Sequence, residues 1–138
     1  MNASPLVSHA SAPVVALRLF LEEAAAAMDA TLRQAAGSAS IGRHGSTAAG
    51  FYLPNGALLL GGRESHPLLL EAAAEALTCL ADRQQAAERP LAAGELYLTN
   101  DAGCGGAGIE DLILATPILR DGRLVAFVAL TASHTGLG

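Results

Sequence analysis

The feature that most constrains the fold is an Asp-Gly pair, Asp121-Gly122, set between two β-type runs, DLILATPIL and RLVAFVALTA. Asp-Gly is typical of the two-residue turns that join antiparallel strands, because both positions then adopt positive φ. A second signal stands upstream, where Pro54-Asn55-Gly56 separates GFYL from ALLLGG. Together the two signals predict a mainly antiparallel sheet built from hairpins.

Two helices are predicted around these strands. One apolar stripe with spacings of three and four predicts a helix from Val14 to Ala36; its members are Leu17, Leu21, Ala24, Met28, Leu32 and Ala35. A second helix is expected to begin near Ser65 and Pro67, with Ser65 as its cap. Its apolar face would carry Leu70, Ala73, Leu77 and Leu80. Residues 37–50 read as a loop and GELYLT (94–99) as a short strand, so we expect an α+β fold with two helices packed on the sheet.

The length and composition favour a single domain that a partner covers. At 138 residues the chain suits one core, with residues 1–13 as a flexible or partner-docked arm and 14–138 as the domain. Hydrophobic residues make up 51% and charged residues only 15%, which indicates apolar surface available to another subunit. The net charge of −5 argues against nucleic acid or an anionic membrane as partner. The sequence shows neither a signal-peptide pattern nor an apolar run long enough for a membrane span, so a cytoplasmic location is expected.

The stretch NDAGCGGAGIED, residues 100–111, is a glycine-rich loop with several possible roles. A phosphate-binding loop requires a lysine and a following helix, whereas all eight cations of this chain are Arg and a strand is predicted to follow. No cofactor is therefore expected on this chain. Cys104 could instead be a thiol nucleophile near His134, and Asp101 and Asp111 could be metal ligands or a general base.

Each of these side chains also has a structural interpretation. Cys104 would then be a small apolar residue in a turn, Asp101 a turn cap, and Asp111 an exposed residue before a strand. His134 ends a hydrophobic strand and could line a site, or be held by hydrogen bonds. With only two cysteines in the chain, Cys79 and Cys104 are expected to be reduced and unrelated.

From Gly94 to Gly138 the sequence resembles the N-terminal part of the hydantoinase B family, whose relatives include the catalytic half of 5-oxoprolinase and the large subunit of acetone carboxylase. The shared order is a strand, an Asn-Asp pair, a glycine loop closed by an Asp, a strand with Thr-Pro, a short turn, and a strand that ends near a His and a Gly. MDATLRQAA and FYLPNGALLLGG extend the resemblance weakly back to Val14.

The resemblance implies a divalent metal held by a loop His, the loop Asp and a later His. The loop Asp corresponds to Asp111, but the loop His falls on Gly108 and the later His on Ser133. His134, one position further, should point away from Ser133, since side chains alternate along a strand. We therefore expect Asp111 to be the vestige of a metal site, with His134 as the weak remaining candidate. Ala102 stands where the family has a proline.

The resemblance also implies a place in an assembly. Family members are several times longer, and the initiator Met favours a natural small subunit over a fragment. We expect a noncatalytic structural subunit of an ATP-dependent ketone carboxylase of the acetophenone carboxylase type, docked on larger hydantoinase A-like and B-like chains that hold ATP and divalent metal. The alternative is a metal- or thiol-dependent cyclic-amide hydrolase subunit that works through Asp111, Cys104 and His134. A zinc ion shared by Cys104, His134 and a partner is a third possibility.

Overall fold

The computed structural model describes residues 11–37, 39, 41, 46–86, 88, 90–105, 108 and 110–134. The elements are α1 (Ala12–Ala35), β1 (Thr47–Tyr52), β2 (Leu58–Gly61), α2 (Pro67–Ala86), β3 (Tyr97–Thr99), β4 (Asp111–Arg120) and β5 (Arg123–Ser133). The strands form one antiparallel sheet in the order β2-β1-β5-β4-β3. The predicted α+β class and both predicted hairpins are confirmed.

The β4–β5 hairpin is the longest ladder of the sheet. Asp121 and Gly122 have φ of 51° and 74°, as a two-residue hairpin turn of this kind requires. Pairing begins at Arg120 with Arg123 and ends at Asp111 with Ser133. The turn thus sets which residues of the two strands meet at the far end.

One face of the sheet packs on α2. Residues that pair directly across strands lie on the same face, and this face carries Tyr52, Ile113, Ala115, Phe127 and Ala129. These five side chains form the main core with four small or apolar residues of α2, namely Ala72, Ala73, Ala76 and Leu77. The apolar face predicted for α2 is therefore the one that is buried.

The opposite face carries α1, and a buried carboxylate joins the two. Asp29 is 2% exposed, its Oδ1 accepts a hydrogen bond from Thr47 Oγ1 at 2.5 Å, and its Oδ2 lies 2.7 Å from Arg33 Nη1. Thr47 pairs with Ala132, which places it on the face away from α2. This contact positions α1 over β1 and β2, the strands that it contacts.

The apolar stripe predicted for α1 is only partly the buried face of this helix, so the prediction is wrong in part. The buried residues of this helix are Ala25 and Asp29, whereas Leu17 is 57% exposed. Hydrophobic spacing could not find this face, because its centre is a polar residue that is buried with its own hydrogen-bond partners.

Three details at the ends of elements also differ from the prediction. β1 begins at Thr47, inside the predicted loop, since short residues such as Ala and Gly carry little strand signal. Ser65 does not cap α2, because its Oγ accepts a hydrogen bond from the backbone N–H of Ala49 at 2.9 Å. Residues 1–10 of the predicted arm lie outside the described residues, and α1 already begins at Ala12. Neither described helix is long and apolar enough to cross a membrane.

Asp29→Asn should lower the free energy of unfolding by about 2 kcal/mol, because it removes the buried carboxylate that pairs with Arg33 and weakens the hydrogen bond with Thr47. Urea unfolding followed by circular dichroism measures this change. Glu22→Gln is the matched control, since Glu22 pairs with Arg18 and Arg63 at the surface and should have a much smaller effect. Equal midpoints for the two variants would contradict the anchoring role of Asp29.

Candidate functional site

Asp101 organises the start of the glycine loop. Its Oδ1 accepts a hydrogen bond from the Gly103 N–H at 2.9 Å, and its Oδ2 pairs with Arg83 of α2 at 3.0 Å. The Arg83 guanidinium, and after it the Gly103 N–H, hold the pKa of Asp101 below its usual value. The carboxylate therefore caps a turn and ties the loop to α2, in agreement with its structural interpretation.

The loop is also bonded to α2 through sulfur. Cys79 and Cys104 form a disulfide, with Cα atoms 5.6 Å apart, so the expectation of two reduced, unrelated cysteines is wrong. Gly105 has a φ of 81°, and a Cβ built there would come within 2.2 Å of the Ala76 backbone nitrogen. Only glycine allows the loop to approach the helix this closely. In the disulfide, Cys104 has no free thiolate and cannot act as a nucleophile.

The β4–β5 register brings Asp111 and Ser133 together at the end of the sheet. Asp111 is 5% exposed, and its Oδ1 accepts a hydrogen bond from the Ser133 hydroxyl. The Asp111 N–H donates to the Gly108 carbonyl at 3.1 Å. Gly108, Asp111 and Ser133 are the three positions that correspond to the implied metal ligands, and the structure places them side by side.

His134 follows β5 directly, and among the described residues no hydrogen bond joins its side chain to this group. Its backbone N–H donates to the Glu110 carbonyl at 2.8 Å. Its Nδ1 is buried and has no hydrogen-bond partner among the described residues. Among the described residues, the Nδ1 of His134, next in sequence to Ser133, is therefore left without a hydrogen bond.

Residues 14–138 match the sequence model of the hydantoinase B/oxoprolinase family. The chain belongs to this family. Within it, Gly108 and Ser133 stand where the resemblance implies metal-binding histidines, and the β4–β5 register pairs Ser133 with Asp111. A comparison with curated protein sequences gave no match.

Two solved structures show the same fold. Nucleotide-free acetone carboxylase superposes with a TM-score of 0.74 and 18% identity, covering 89% of this chain and 16% of its own. The ATP-dependent caprolactamase from Pseudomonas jessenii gives a TM-score of 0.70 and 18% identity, covering 92% of this chain and 21% of its own. The chain thus corresponds to about a fifth of each of these proteins or less.

The divalent metal that the resemblance implies does not fit the residues present at this site. Gly108 has no side chain, and the Ser133 hydroxyl already donates to the single carboxylate of Asp111. A lone carboxylate with a neutral hydroxyl is a weak ligand set for a divalent cation. Over the part of the chain that the structure describes, no three His, Cys, Asp or Glu side chains lie close enough to hold a metal.

Sequence reasoning located Asp101, Asp111 and Ser133 but missed two partners in this region. The sequence does not predict the role of Arg83, because a single Arg on a predicted helix does not indicate that the glycine loop folds back onto that helix. The Cys79–Cys104 bond joins residues 25 positions apart, and two cysteines alone do not indicate pairing. The close approach of Gly105 to α2 and the Arg83–Asp101 pair bring the two cysteines together, and both are visible only once the fold is known.

The disulfide predicts a measurable stabilisation. Intact mass without reductant should be lower than the reduced mass by two hydrogens, and reduction should lower the free energy of unfolding by about 3 kcal/mol, given the loop of 25 residues that the bond closes. Urea unfolding of Cys79→Ser should match that of the reduced protein. Alkylation of both thiols in the folded, unreduced protein would contradict the bond.

Histidines placed at the two positions where the resemblance implies them should create a metal site. The double variant Gly108→His, Ser133→His should bind about one Zn²⁺ per chain, because two imidazoles and a carboxylate form a common zinc set. A Cβ built at Gly108 meets no atom closer than 4.0 Å, so the first substitution has room.

Elemental analysis and isothermal titration with ZnCl₂ measure this binding. The same double variant with Asp111→Asn is the matched control and should bind Zn²⁺ much more weakly. No zinc in the double variant, while it remains folded, would show that the three positions do not converge as a ligand set.

Proposed function

We propose that this chain is a small noncatalytic structural subunit of an ATP-dependent ketone carboxylase of the acetophenone carboxylase type. The observation that carries the proposal is that the buried carboxylate of Asp111 already has a hydrogen-bond donor. Its carboxylate accepts a hydrogen bond from Ser133 at the place where relatives are expected to hold a metal. A hydroxyl that satisfies a buried carboxylate keeps the scaffold stable without an ion.

The comparisons support a role within a larger assembly. Both structural neighbours are ATP-dependent enzymes by name, and this chain corresponds to 16% and 21% of their lengths. All eight cations of the chain are Arg, so the lysine of a phosphate-binding loop has no counterpart here. ATP and the divalent metal would accordingly be held by larger hydantoinase A-like and B-like chains, and this chain would complete an interface or the wall of a channel.

A cyclic-amide hydrolase is the second candidate, because one of the two neighbours is an ATP-dependent caprolactamase. The Nδ1 of His134, which has no hydrogen-bond partner among the described residues, is the feature that would serve such a reaction as a general base. The disulfide takes Cys104 out of the site as a nucleophile, so the thiol-dependent form of this hypothesis loses its support.

Activity of the complete complex separates the two functions. The wild-type chain should co-purify in fixed stoichiometry with the larger chains of its organism, and the complex should hydrolyse ATP in a ketone- and bicarbonate-dependent manner. Hydrolysis that depends on cyclic amides and not on bicarbonate would favour the second candidate.

Asp111→Ala tests the noncatalytic role within that complex. The expected result is unchanged metal content and unchanged turnover, because the ions belong to the larger chains. His134→Ala serves as the companion variant, and urea midpoints of both show whether the chain remains folded. Stoichiometric metal that is lost only in Asp111→Ala would overturn the vestigial interpretation of this site.

A further inference from the structure

The sheet face opposite α2 is only half covered. α1 contacts β1 and β2, and its anchor at Thr47 lies at that side of the sheet. On β5 the same face is buried at Ala132, beside Thr47. Along the rest of β5 and along β4 and β3, its described side chains are partly or largely exposed. We call this region the open face. It is formed mainly by six apolar side chains, which are Leu98, Leu112, Leu114, Ile118, Val128 and Leu130.

Burial along the central strands shows that this face is open. β4 alternates between buried residues, which face α2, and partly exposed ones, from Asp111 to Pro117. β5 and β4 are the third and fourth of five strands, so residues on a covered face would be buried there. At the edge, Leu98 is 68% exposed and Ile118 is 37% exposed.

The open face is continuous and uncharged. Leu98 pairs with Leu114, and Leu114 pairs with Leu130, which gives one leucine row across three strands. The nearest charges at the hairpin end are Arg120, Asp121 and Arg123, beyond this row. An apolar centre with charges at the rim is the usual pattern of a protein interface.

We infer that the open face docks an uncharged apolar surface of the larger hydantoinase B-like chain, an inference that rests on the proposed function for the existence of that partner. In the two structural neighbours the same domain accounts for 16% and 21% of a chain. The remaining four-fifths or so of each chain is available to cover this face. Under the proposed function, a B-like chain would supply the equivalent surface. Nucleic acid and anionic lipid do not fit a face without cations.

Charge placed on the open face tests this assignment. Leu98→Glu and Ile118→Glu should each weaken binding to the organism's larger hydantoinase B-like chain by at least about tenfold, because a carboxylate would be buried without a partner. Titration calorimetry of the purified chains measures the affinity. Backbone amides of β3–β5 should also exchange more slowly in the wild-type complex.

Leu68→Glu is the matched control. Leu68 is a leucine of α2 with 64% exposure, on the helix that packs on the other face, and the substitution should change the affinity less than twofold or so. Urea midpoints of all three variants confirm that they are folded.

The outcomes separate this inference from the proposed function. If the wild-type chain binds the larger chain and both open-face variants bind equally well, the inference is overturned and the proposed function stands. If the wild-type chain forms a homodimer that Leu98→Glu dissociates, the face binds a second copy, and the inference is likewise overturned. If the larger chain does not bind at all, both fail.

Discussion

The register of β4 against β5 decides where each functional group of this chain lies. Positive φ at Asp121 and Gly122 closes the turn in two residues, and the ladder then runs back to Asp111 opposite Ser133. A shift of one residue would turn every β4 side chain to the other face of the sheet. Leu112 would then face α2, and Asp111 would point away from the glycine loop. The site and the open face therefore have a common geometric cause.

Turn chemistry and periodicity predicted the elements that depend on local sequence. Asp121-Gly122 and Asn55-Gly56 located both hairpins, and the spacing of Leu70 and Leu77 located the buried face of α2. The buried face of α1 could not be found in this way, because Asp29 is buried together with Thr47, its hydrogen-bond partner 18 positions away in the chain. The disulfide was missed for a related reason, since Cys79 and Cys104 meet only when the loop folds back onto α2.

The sequence predicted which residues form the candidate site, but it did not predict the hydrogen bond between them. The resemblance identified Gly108, Asp111 and Ser133 as equivalent positions, and the sheet brings them together. It gave no indication that the Ser133 hydroxyl would donate to the Asp111 carboxylate. An unpaired buried carboxylate is costly, so Asp111 requires a hydrogen-bond donor in a chain that lacks the two implied histidines. Ser133 supplies that donor, which explains how Asp111 can remain 5% exposed in a chain without the histidines.

The same physical argument connects Asp29 with the open face. Both faces of this sheet carry apolar side chains, and among the described residues α2 packs on one face and α1 on the other. α2 crosses the middle of its face and packs against residues of β1, β4 and β5. α1 is held at β1 through Asp29 and Thr47, so it lies over the β1–β2 side and leaves the leucine row of β3–β5 exposed. A helix anchored by apolar contacts alone could move towards that row and bury more area. The buried carboxylate prevents this movement, because a shifted helix would leave Asp29 without its hydrogen-bond partner. The exposure of the open face is thus a property of the native packing, stable enough to be available to a partner.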